Sequence, residues 1–212
     1  MLCTSTLSPG PTPMASSPRC KAAVQEFTAQ ANSAPTASPK RFSNSNALPA
    51  VVTYGDNFTI FVNVTDNVAV DTVIVELDGV NYSLAGPPSL YNRSFNSSNL
   101  TAGFYNYTIY ANDTSDNSAT PVVGNITINP ATSSLTLYLN GTEDNLSAGQ
   151  GNTVNITALL LTPTGTSDTL YLYIDGNPLD NGSNPLTNIS SYSTAGIYNI
   201  TALFPGNANY TS

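Results

Sequence analysis

Sixteen asparagines in this chain are each followed, two positions later, by serine or threonine, and none of the intervening residues is proline. This triplet, here called a sequon, is the acceptor for N-linked glycosylation, in which the side-chain amide nitrogen receives a sugar. The sixteen are Asn57, Asn63, Asn81, Asn92, Asn96, Asn99, Asn106, Asn112, Asn125, Asn140, Asn145, Asn155, Asn181, Asn188, Asn199 and Asn209. The sequence therefore predicts N-linked glycans over residues 57–209 and none before them.

Residue types suited to catalysis are scarce. The chain has no histidine, and therefore no Ser-His-Asp triad, and it has no Gly-x-Ser-x-Gly motif or glycine-rich phosphate loop. Two of its acids could form the carboxylate pair of a glycosidase. However, most acids lie in turn-like segments, where aspartate caps backbone groups. We predict no enzymatic activity, no catalytic residue and no cofactor.

Calcium is the one cation for which ligands can be named. Asp66, Asn67 and Asp71 belong to one loop and Asp113 and Asp116 to another, and the two loops could meet at one end of a β-sandwich. Their side chains offer the hard oxygen atoms that calcium prefers. Turn chemistry explains the same residues, and the second half of the chain lacks most of them. Both interpretations stay open, and no metal site is assigned.

Two tyrosines could bind sugar from outside the molecule. Tyr171 and Tyr173 alternate with apolar residues, which predicts a position on the outward face of a strand. An exposed ring on such a face can stack on a sugar ring. The chain contains no tryptophan, and outward tyrosine is also a good strand former. The same tyrosines could instead cover a contact between domains or subunits.

The charge of the chain excludes one class of partner. The net charge is −8, and only 8% of residues are charged. After residue 46 the single basic residue is Arg93. An acidic surface of this kind repels phosphate backbones, so we predict no nucleic-acid partner. Solubility then depends on Asn, Ser, Thr and Tyr side chains, or on attached sugar.

The first 46 residues differ from the rest. They are rich in Pro, Ser, Thr and Ala, which predicts a disordered arm or linker. They also hold Cys3 and Cys20, which could form a disulfide or remain two thiols. No stretch of the sequence is long and apolar enough to span a membrane, and the start lacks the pattern of a signal peptide. Because a signal peptide should accompany so many sequons, we expect a fragment of a longer chain.

Alternation of apolar and polar residues dominates from residue 47 onward. In 57–65, for example, Phe58, Ile60, Val62 and Val64 share one face of an extended strand. Runs of this type recur every 8 to 15 positions, with turn residues between them, which predicts an all-β fold. Six sequon asparagines then lie opposite an apolar row: Asn57, Asn63, Asn106, Asn125, Asn155 and Asn199. Five others fall in or beside predicted turns: Asn81, Asn92, Asn140, Asn181 and Asn209.

Three sequence blocks recur in the same order and at nearly the same spacing. DTVIVELDG (71–79) matches DTLYLYIDG (168–176), TAGFYNYT (101–108) matches TAGIYNIT (194–201), and GDNFTI (55–60) matches GNTVNI (151–156). This internal repeat predicts two homologous domains, 47–130 and 131–212, joined near Pro130, which cannot continue a central strand.

The repeated blocks resemble immunoglobulin-like modules. The segments Leu100-Thr-Ala-Gly-Phe-Tyr105 and Ala195-Gly-Ile-Tyr198 are similar to the tyrosine corner of such sandwiches, whose phenol bonds back to nearby backbone. The acidic loops at 66–71 and 111–118, and the end FPGNANYTS (204–212), resemble the immunoglobulin-like repeats of prokaryotic cell-surface proteins. The sequon density and the low charge are similar to those of archaeal S-layer-type glycoproteins. The resemblance implies two tandem antiparallel sandwiches over residues 47–212, without the Cys-Trp-Cys core of antibody domains.

The second repeat stops soon after the turn that precedes the last strand of the first repeat. Its sandwich is therefore expected to lack that strand. Truncation explains this, and so does assembly by strand donation, in which a neighbouring subunit fills the gap.

From these features we predict an extracellular, N-glycosylated structural protein: a cell-surface spacer, an S-layer component or a filament subunit that self-associates. The alternative is an adhesin or a carbohydrate-binding module of a larger surface protein.

Overall fold

A computed structural model of the chain describes residues 30–31, 40–66, 69–165 and 167–212. Apart from one 3₁₀ turn at Ser97–Asn99, every regular element of this part is a β-strand. The predicted all-β class is therefore confirmed. Most of the predicted disordered arm, including Cys3 and Cys20, lies outside the described residues.

The described strands before residue 130 form two sheets. They are β1 (Gln30–Ala31), β2 (Lys40–Leu48), β3 (Val51–Thr53), β4 (Asn57–Thr65), β5 (Val70–Leu77), β6 (Val80–Ser83), β7 (Leu90–Asn96), β8 (Gly103–Asp113) and β9 (Val122–Asn129). The sheet orders are β1-β2-β4-β7 and β3-β9-β8-β5-β6. All neighbours are antiparallel except β3 and β9, which are parallel. In the lettering of immunoglobulin domains, β2, β4 and β7 are strands A, B and E, and β5, β8 and β9 are C, F and G.

The strands after residue 130 repeat most of this arrangement. They are β10 (Ser134–Leu139), β11 (Thr153–Thr162), β12 (Thr169–Ile174), β13 (Asn177–Ser183), β14 (Leu186–Ser191) and β15 (Ile200–Leu203). Their sheets are β10-β11-β14 and β13-β12-β15. The chain thus contains two tandem immunoglobulin-like sandwiches, here called the first and the second sandwich.

Alternation along the strands builds a separate hydrophobic core in each sandwich. In β4 the side chains of Phe58, Ile60, Val62 and Val64 are buried, as the spacing predicted. They pack with inward residues of β5, β8 and β9 from the facing sheet. The second core is smaller and is centred on residues of β11 and β12. Burial of these apolar rows is the main contribution to folding.

Two Asp-Gly turns connect equivalent strands in the two sandwiches. Asp78 and Gly79 both have positive φ, at 53° and 72°, and join β5 to β6. Asp175 and Gly176 do the same between β12 and β13, at 50° and 77°. A two-residue hairpin with both φ values positive matches the twist of its strands, and Asp-Gly tolerates that backbone. The Asp-Gly pair at 78–79 therefore forms a hairpin turn, and the same turn recurs in the second sandwich.

Two strands, β1 and β2, begin where the sequence predicted disorder. β2 begins at Lys40, before the predicted start of the domain at residue 47, and pairs antiparallel with β4. Its sequence, KRFSNSNAL, shows no regular apolar alternation, and its register shifts between Ser43 and Ser45. The neighbouring strand β4, rather than a local pattern, stabilises it by ladder hydrogen bonds.

The second sandwich is open along one edge. β8 lies between β5 and β9, whereas β15 pairs only with β12 in the described part of the chain. The second sandwich also contains a cavity of about 580 Å³, bordered by the segments 145–150 and 194–198 and by Leu139, Val154 and Ile200. Among the described residues of 131–212, no strand pairs with β15 on the side opposite β12.

The end of the second sandwich returns to the start of that sandwich and to the first one. The Ala131 N–H donates to the Asn209 carbonyl at 2.9 Å, and the Thr211 N–H donates to the Ala131 carbonyl at 2.9 Å. The ring of Tyr210 meets that of Tyr54 edge to face, with centroids 5.5 Å apart. In addition, the Ala102 N–H donates to Asn209 Oδ1 at 2.8 Å. Aromatic and polar contacts therefore connect the two sandwiches directly.

Both predicted tyrosine corners are present. The Tyr105 hydroxyl donates to the Thr101 carbonyl at 2.9 Å and accepts from the Thr101 N–H at 3.1 Å. The Tyr198 hydroxyl donates to the Thr194 carbonyl at 2.8 Å. Each phenol therefore fixes the loop that enters β8 or β15.

Replacing Tyr105 with phenylalanine should lower the free energy of unfolding by about 1–2 kcal/mol, because two backbone groups of Thr101 lose their partner. Urea titration of the purified chain measures this change. The control is Tyr110→Phe, since Tyr110 is exposed and its hydroxyl donates to a side-chain carboxylate, Glu76, rather than to backbone. Equal stability of Tyr105→Phe and wild type would show that the corner is not a stabilising element.

Candidate functional site

The sixteen sequon asparagines are distributed over both sandwiches, and none is buried. Twelve are exposed: Asn57, Asn81, Asn92, Asn96, Asn99, Asn106, Asn125, Asn140, Asn145, Asn155, Asn181 and Asn199. The other four are half-exposed: Asn63, Asn112, Asn188 and Asn209. The candidate site is thus a set of amide side chains spread over the surface rather than a single cleft.

Most strand-borne sequons lie on outward faces, as the alternation predicted. On β8, Asn106 and Thr108 are outward while the intervening Tyr107 is buried. On β11, Asn155 and Thr157 flank the buried Ile156, and the Thr157 hydroxyl donates to Asn155 Oδ1 at 3.3 Å. A strand places residues i and i+2 side by side. The amide that would receive sugar therefore stands next to the hydroxyl of its own sequon.

Two pairs of sequon asparagines stand directly opposite each other on neighbouring strands. Asn57 of β4 faces Asn96 of β7, and Asn106 of β8 faces Asn125 of β9. In the first pair, Asn96 Nδ2 donates to Asn57 Oδ1 at 3.0 Å, and Asn96 Oδ1 accepts from the Ser98 N–H. The amide of Asn96 therefore already caps the 3₁₀ turn that follows it.

Three of the five sequons predicted in or beside turns lie within strands. Asn81 is inside β6, and Asn92 and Asn181 are inside β7 and β13 because each of these two strands extends further than its apolar residues suggested. Asn81 follows the hairpin turn at 78–79, and Asn140 occupies a turn with φ of 49°. Asn209 lies in the closing segment of the second sandwich, where its Oδ1 accepts from Ala102.

Asn188 is the exception among the sixteen. It pairs with the fully buried Ile156 across β11 and β14, so its side chain shares the inward face with Leu186. Its Nδ2 donates to Asp180 Oδ2 at 2.9 Å, and its Oδ1 accepts from the Ser190 hydroxyl. The amide nitrogen is therefore occupied by a carboxylate from the facing sheet, a partner that local sequence could not reveal.

The acidic loops bring few carboxylates together among the described residues. No group of three or more acidic, histidine or cysteine side chains is close enough there to hold a metal ion. Asn67 lies outside the described residues. Asp113 is 2% exposed, and its Oδ1 accepts from the N–H groups of Ser115 and Asn117, both at 2.8 Å. These contacts agree with the turn interpretation of this loop.

The tyrosine pair lies on the outward face, as predicted. Tyr171 and Tyr173 are half-exposed, whereas Leu170 and Leu172 beside them are fully buried. Tyr171 faces Leu203 across β15 and Asn181 across β13. The two rings therefore form a small apolar area next to a sequon.

A third tyrosine interacts with a carboxylate on the first sandwich. The Tyr110 hydroxyl donates to Glu76 Oε2 at 2.9 Å, and this hydrogen bond raises the pKa of Tyr110. Tyr110 is exposed, Glu76 is half-exposed, and Tyr110 lies on the same face of β8 as Asn112.

The residue two positions before each sequon asparagine is a further candidate that the sequon pattern does not include. On a strand this residue also shares the outward face, so the alternation alone would have identified it. Phe104, two positions before Asn106, is 63% exposed.

The chain matches no protein-family model and no curated protein sequence. Among solved structures it is similar to fibronectin(III)-like modules of CbhA from Clostridium thermocellum, at 17% identity over 72% of this chain and 78% of that chain, with a TM-score of 0.32. It is also similar to SGBP-B of a Bacteroides ovatus mixed-linkage glucan utilisation locus, whose structure was solved in complex with a mixed-linkage heptasaccharide. The two are 15% identical, the match covers 74% of this chain and 60% of that chain, and the TM-score is 0.30. Dimeric latent PorU from Porphyromonas gingivalis matches at 10% identity, 91% of this chain and 18% of that chain, TM-score 0.29. This chain spans less than two thirds of the length of the last two proteins. Similarities this distant support no statement about function.

No helix among the described residues is long and apolar enough to cross a bilayer.

Proposed function

We propose that this chain is an extracellular, N-glycosylated structural module that serves as a cell-surface spacer, an S-layer component or a filament subunit. Its partners are N-linked glycans and further copies of the chain, and the function includes no catalytic step. The observation that carries the proposal is the exposure of the sequons. Twelve of the sixteen amides are exposed and none is buried, although many of them alternate with fully buried residues.

The low number of charged residues supports the same proposal. From residue 47 onward the surface has one basic residue, Arg93, whose guanidinium lies over the rings of Tyr82 and Phe95. A typical soluble domain carries about a quarter charged residues, against 8% here. Attached sugars would supply the hydration that charges supply elsewhere, and they would cover outward apolar side chains.

The direct contact between the sandwiches supports a structural role rather than a hinged one. Tyr54 and Ala102 of the first sandwich contact the segment of the second sandwich that contains Asn209 and Tyr210. Such contacts restrict the relative motion of the two modules, which suits a spacer or an array component.

Mass spectrometry of the native secreted protein tests the proposal. We expect an intact mass well above 22.2 kDa that decreases on deglycosylation, with sugar on most of the twelve exposed asparagines. Asn188 should remain unmodified, because its amide nitrogen faces inward and is bonded to Asp180.

An unmodified native chain would contradict the glycoprotein proposal altogether. Modification of Asn188 at the same level as the exposed sites would instead show that glycosylation precedes folding and ignores the structure.

Self-association, including assembly by strand donation, is part of the proposal for a filament subunit. The pairing of β15 with β12 alone among the described residues supports this part of the proposal, because unpaired ladder groups accept an added strand. Sedimentation of the native protein over a range of concentrations distinguishes a monomer from an assembling subunit.

The alternative function, an adhesin or carbohydrate-binding module, is favoured by one observation. Tyr171, Tyr173 and Leu203 form an outward apolar area on the second sandwich. A glycan array with the unglycosylated chain tests it: saturable binding that is lost in Tyr171→Ala plus Tyr173→Ala, and kept in the control Tyr110→Ala, would favour this alternative.

A further inference from the structure

Exposed apolar side chains on this molecule are concentrated beside sequons. Among the described residues, ten large apolar side chains are exposed. Five of them stand two positions before a sequon asparagine: Leu90, Phe104, Tyr110, Val123 and Ile197. A sixth, Ile189, stands directly opposite Asn155 on the neighbouring strand. More than half of the exposed apolar surface residues therefore border an amide that can receive sugar.

The arrangement is clearest on β8 and β9. Along β8 the outward row is Phe104, Asn106 and Thr108, and along β9 it is Val123, Asn125 and Thr127. The strands are antiparallel, so Phe104 faces Thr127, Asn106 faces Asn125, and Thr108 faces Val123. The six side chains form a block with an approximate twofold axis between the two asparagines.

The apolar ends of this block are open to solvent. Phe104 is 63% exposed and Val123 is 58% exposed. Each lies about 7 Å along its own strand from the asparagine two positions later. A sugar attached to that asparagine is within reach of the neighbouring side chain without any movement of the backbone.

We propose that Phe104 and Val123 are platforms for the chain's own glycans: the first sugar on Asn106 packs over Phe104, and the first sugar on Asn125 packs over Val123. The inference rests on the proposed function, because it requires that both asparagines are glycosylated. The two platforms lie at opposite ends of the block. The glycans therefore leave in opposite directions along the sheet, and both fit although their asparagines are direct neighbours.

The chemistry of the partner follows from the platforms. A pyranose ring has an apolar face of C–H groups, and covering an exposed phenylalanine with such a face removes apolar surface from water. The aromatic ring adds a favourable electrostatic contact with the C–H groups. The opposing pair Asn57 and Asn96 offers a contrast, because the residues two positions earlier are Gly55 and Ser94.

A double-mutant cycle tests the Phe104 platform. The full chain is secreted from a host that attaches N-glycans, and each glycan is trimmed enzymatically to its first N-acetylglucosamine. Wild type, Phe104→Thr, Asn106→Gln and the double variant are then compared by thermal unfolding. We expect loss of the Asn106 sugar to lower Tm by about 4 °C when Phe104 is present and to have almost no effect in the Phe104→Thr background.

Two controls isolate the sugar. The same cycle with unglycosylated protein from bacteria should show no coupling between residues 104 and 106. The effect of Asn181→Gln, which removes a sequon on the second sandwich, should be unchanged by Phe104→Thr.

A structural measurement of the platform is the NMR spectrum of the first sugar on Asn106. Its protons should shift upfield through the Phe104 ring current, and Phe104→Leu should abolish the shift.

The outcomes separate the platform from the glycoprotein proposal. A glycosylated Asn106 without coupling and without a ring-current shift overturns the platform and leaves the glycoprotein intact. If Asn106 carries no sugar, both in the native protein and in the chain secreted from the glycosylating host, the platform is overturned. If the native chain is wholly unmodified, the glycoprotein proposal is overturned as well. If the unglycosylated chain dimerises, and Phe104→Thr abolishes the dimer, the face is a contact between copies and the platform is overturned.

Discussion

Gly124→Ala is expected to destabilise the first sandwich by about 2–3 kcal/mol, which is a large effect for the addition of one methyl group. Gly124 of β9 faces Tyr107 of β8. A β-carbon at position 124 would lie 2.3 Å from both Cζ and Oη of Tyr107. The phenol is 3% exposed, so the rigid ring has no free space into which it can move. Urea unfolding of the full chain measures the loss.

A rescue experiment identifies the cause of that loss. The residue equivalent to Tyr107 in the second sandwich is Ile200, so Tyr107→Ile is a substitution that the fold already accommodates. In that background Gly124→Ala should cost little. Gly103→Ala, on the same pair of strands, is the matched control, because its nearest non-neighbour atom would be 3.7 Å away. An equal cost of Gly124→Ala with and without Tyr107 would refute the steric explanation. Burial raises the pKa of Tyr107 to about 12, so the ring stays neutral throughout these measurements.

Asp113→Ala should lower the free energy of unfolding by about 3 kcal/mol. The carboxylate is buried at the end of β8 and accepts three hydrogen bonds, from the N–H groups of Ser115 and Asn117 and from Asn117 Nδ2 at 3.0 Å. Truncation leaves these donors without their partner in a loop that closes the sandwich. Asp116→Asn is the control, since Asp116 is exposed and asparagine tolerates its positive φ of 60°.

The same experiment decides between the two interpretations of the acidic loops. If the turn alone uses Asp113, the Tm of the wild type is the same in calcium and in chelator. A calcium-dependent rise in Tm that disappears in Asp113→Ala would establish a metal site and contradict the turn interpretation.

Much of the fold could be predicted because its determinants are local in sequence. Alternation in β4, β5, β8 and β9 gave both the strands and their buried faces. The Asp-Gly turns and the tyrosine corners depend on residues within four positions of each other, such as Thr101 and Tyr105. The outward position of most sequons followed from the same alternation.

What could not be predicted depends on partners distant in sequence. β2 has no pattern of its own and is ordered by pairing with β4. The side chain of Asn188 can face inward because its amide donates a hydrogen bond to Asp180 on the facing sheet. Position 124 has glycine for a reason that becomes visible only when Tyr107 is placed across it. In each case the sequence shows a polar or small residue, and the tertiary partner determines its role.

The parallel contacts at the ends of each sandwich have a mechanical consequence. In the first sandwich β3 runs parallel to β9, and in the second Ala131 pairs in parallel with Tyr210. Tension applied to the two ends of a module pulls parallel partners in opposite directions along their length. Their hydrogen bonds are then loaded in shear and must break together, whereas an antiparallel hairpin pulled from its open end unzips one bond at a time. A string of such modules therefore resists stretching at its module boundaries, before tension reaches the hydrophobic cores.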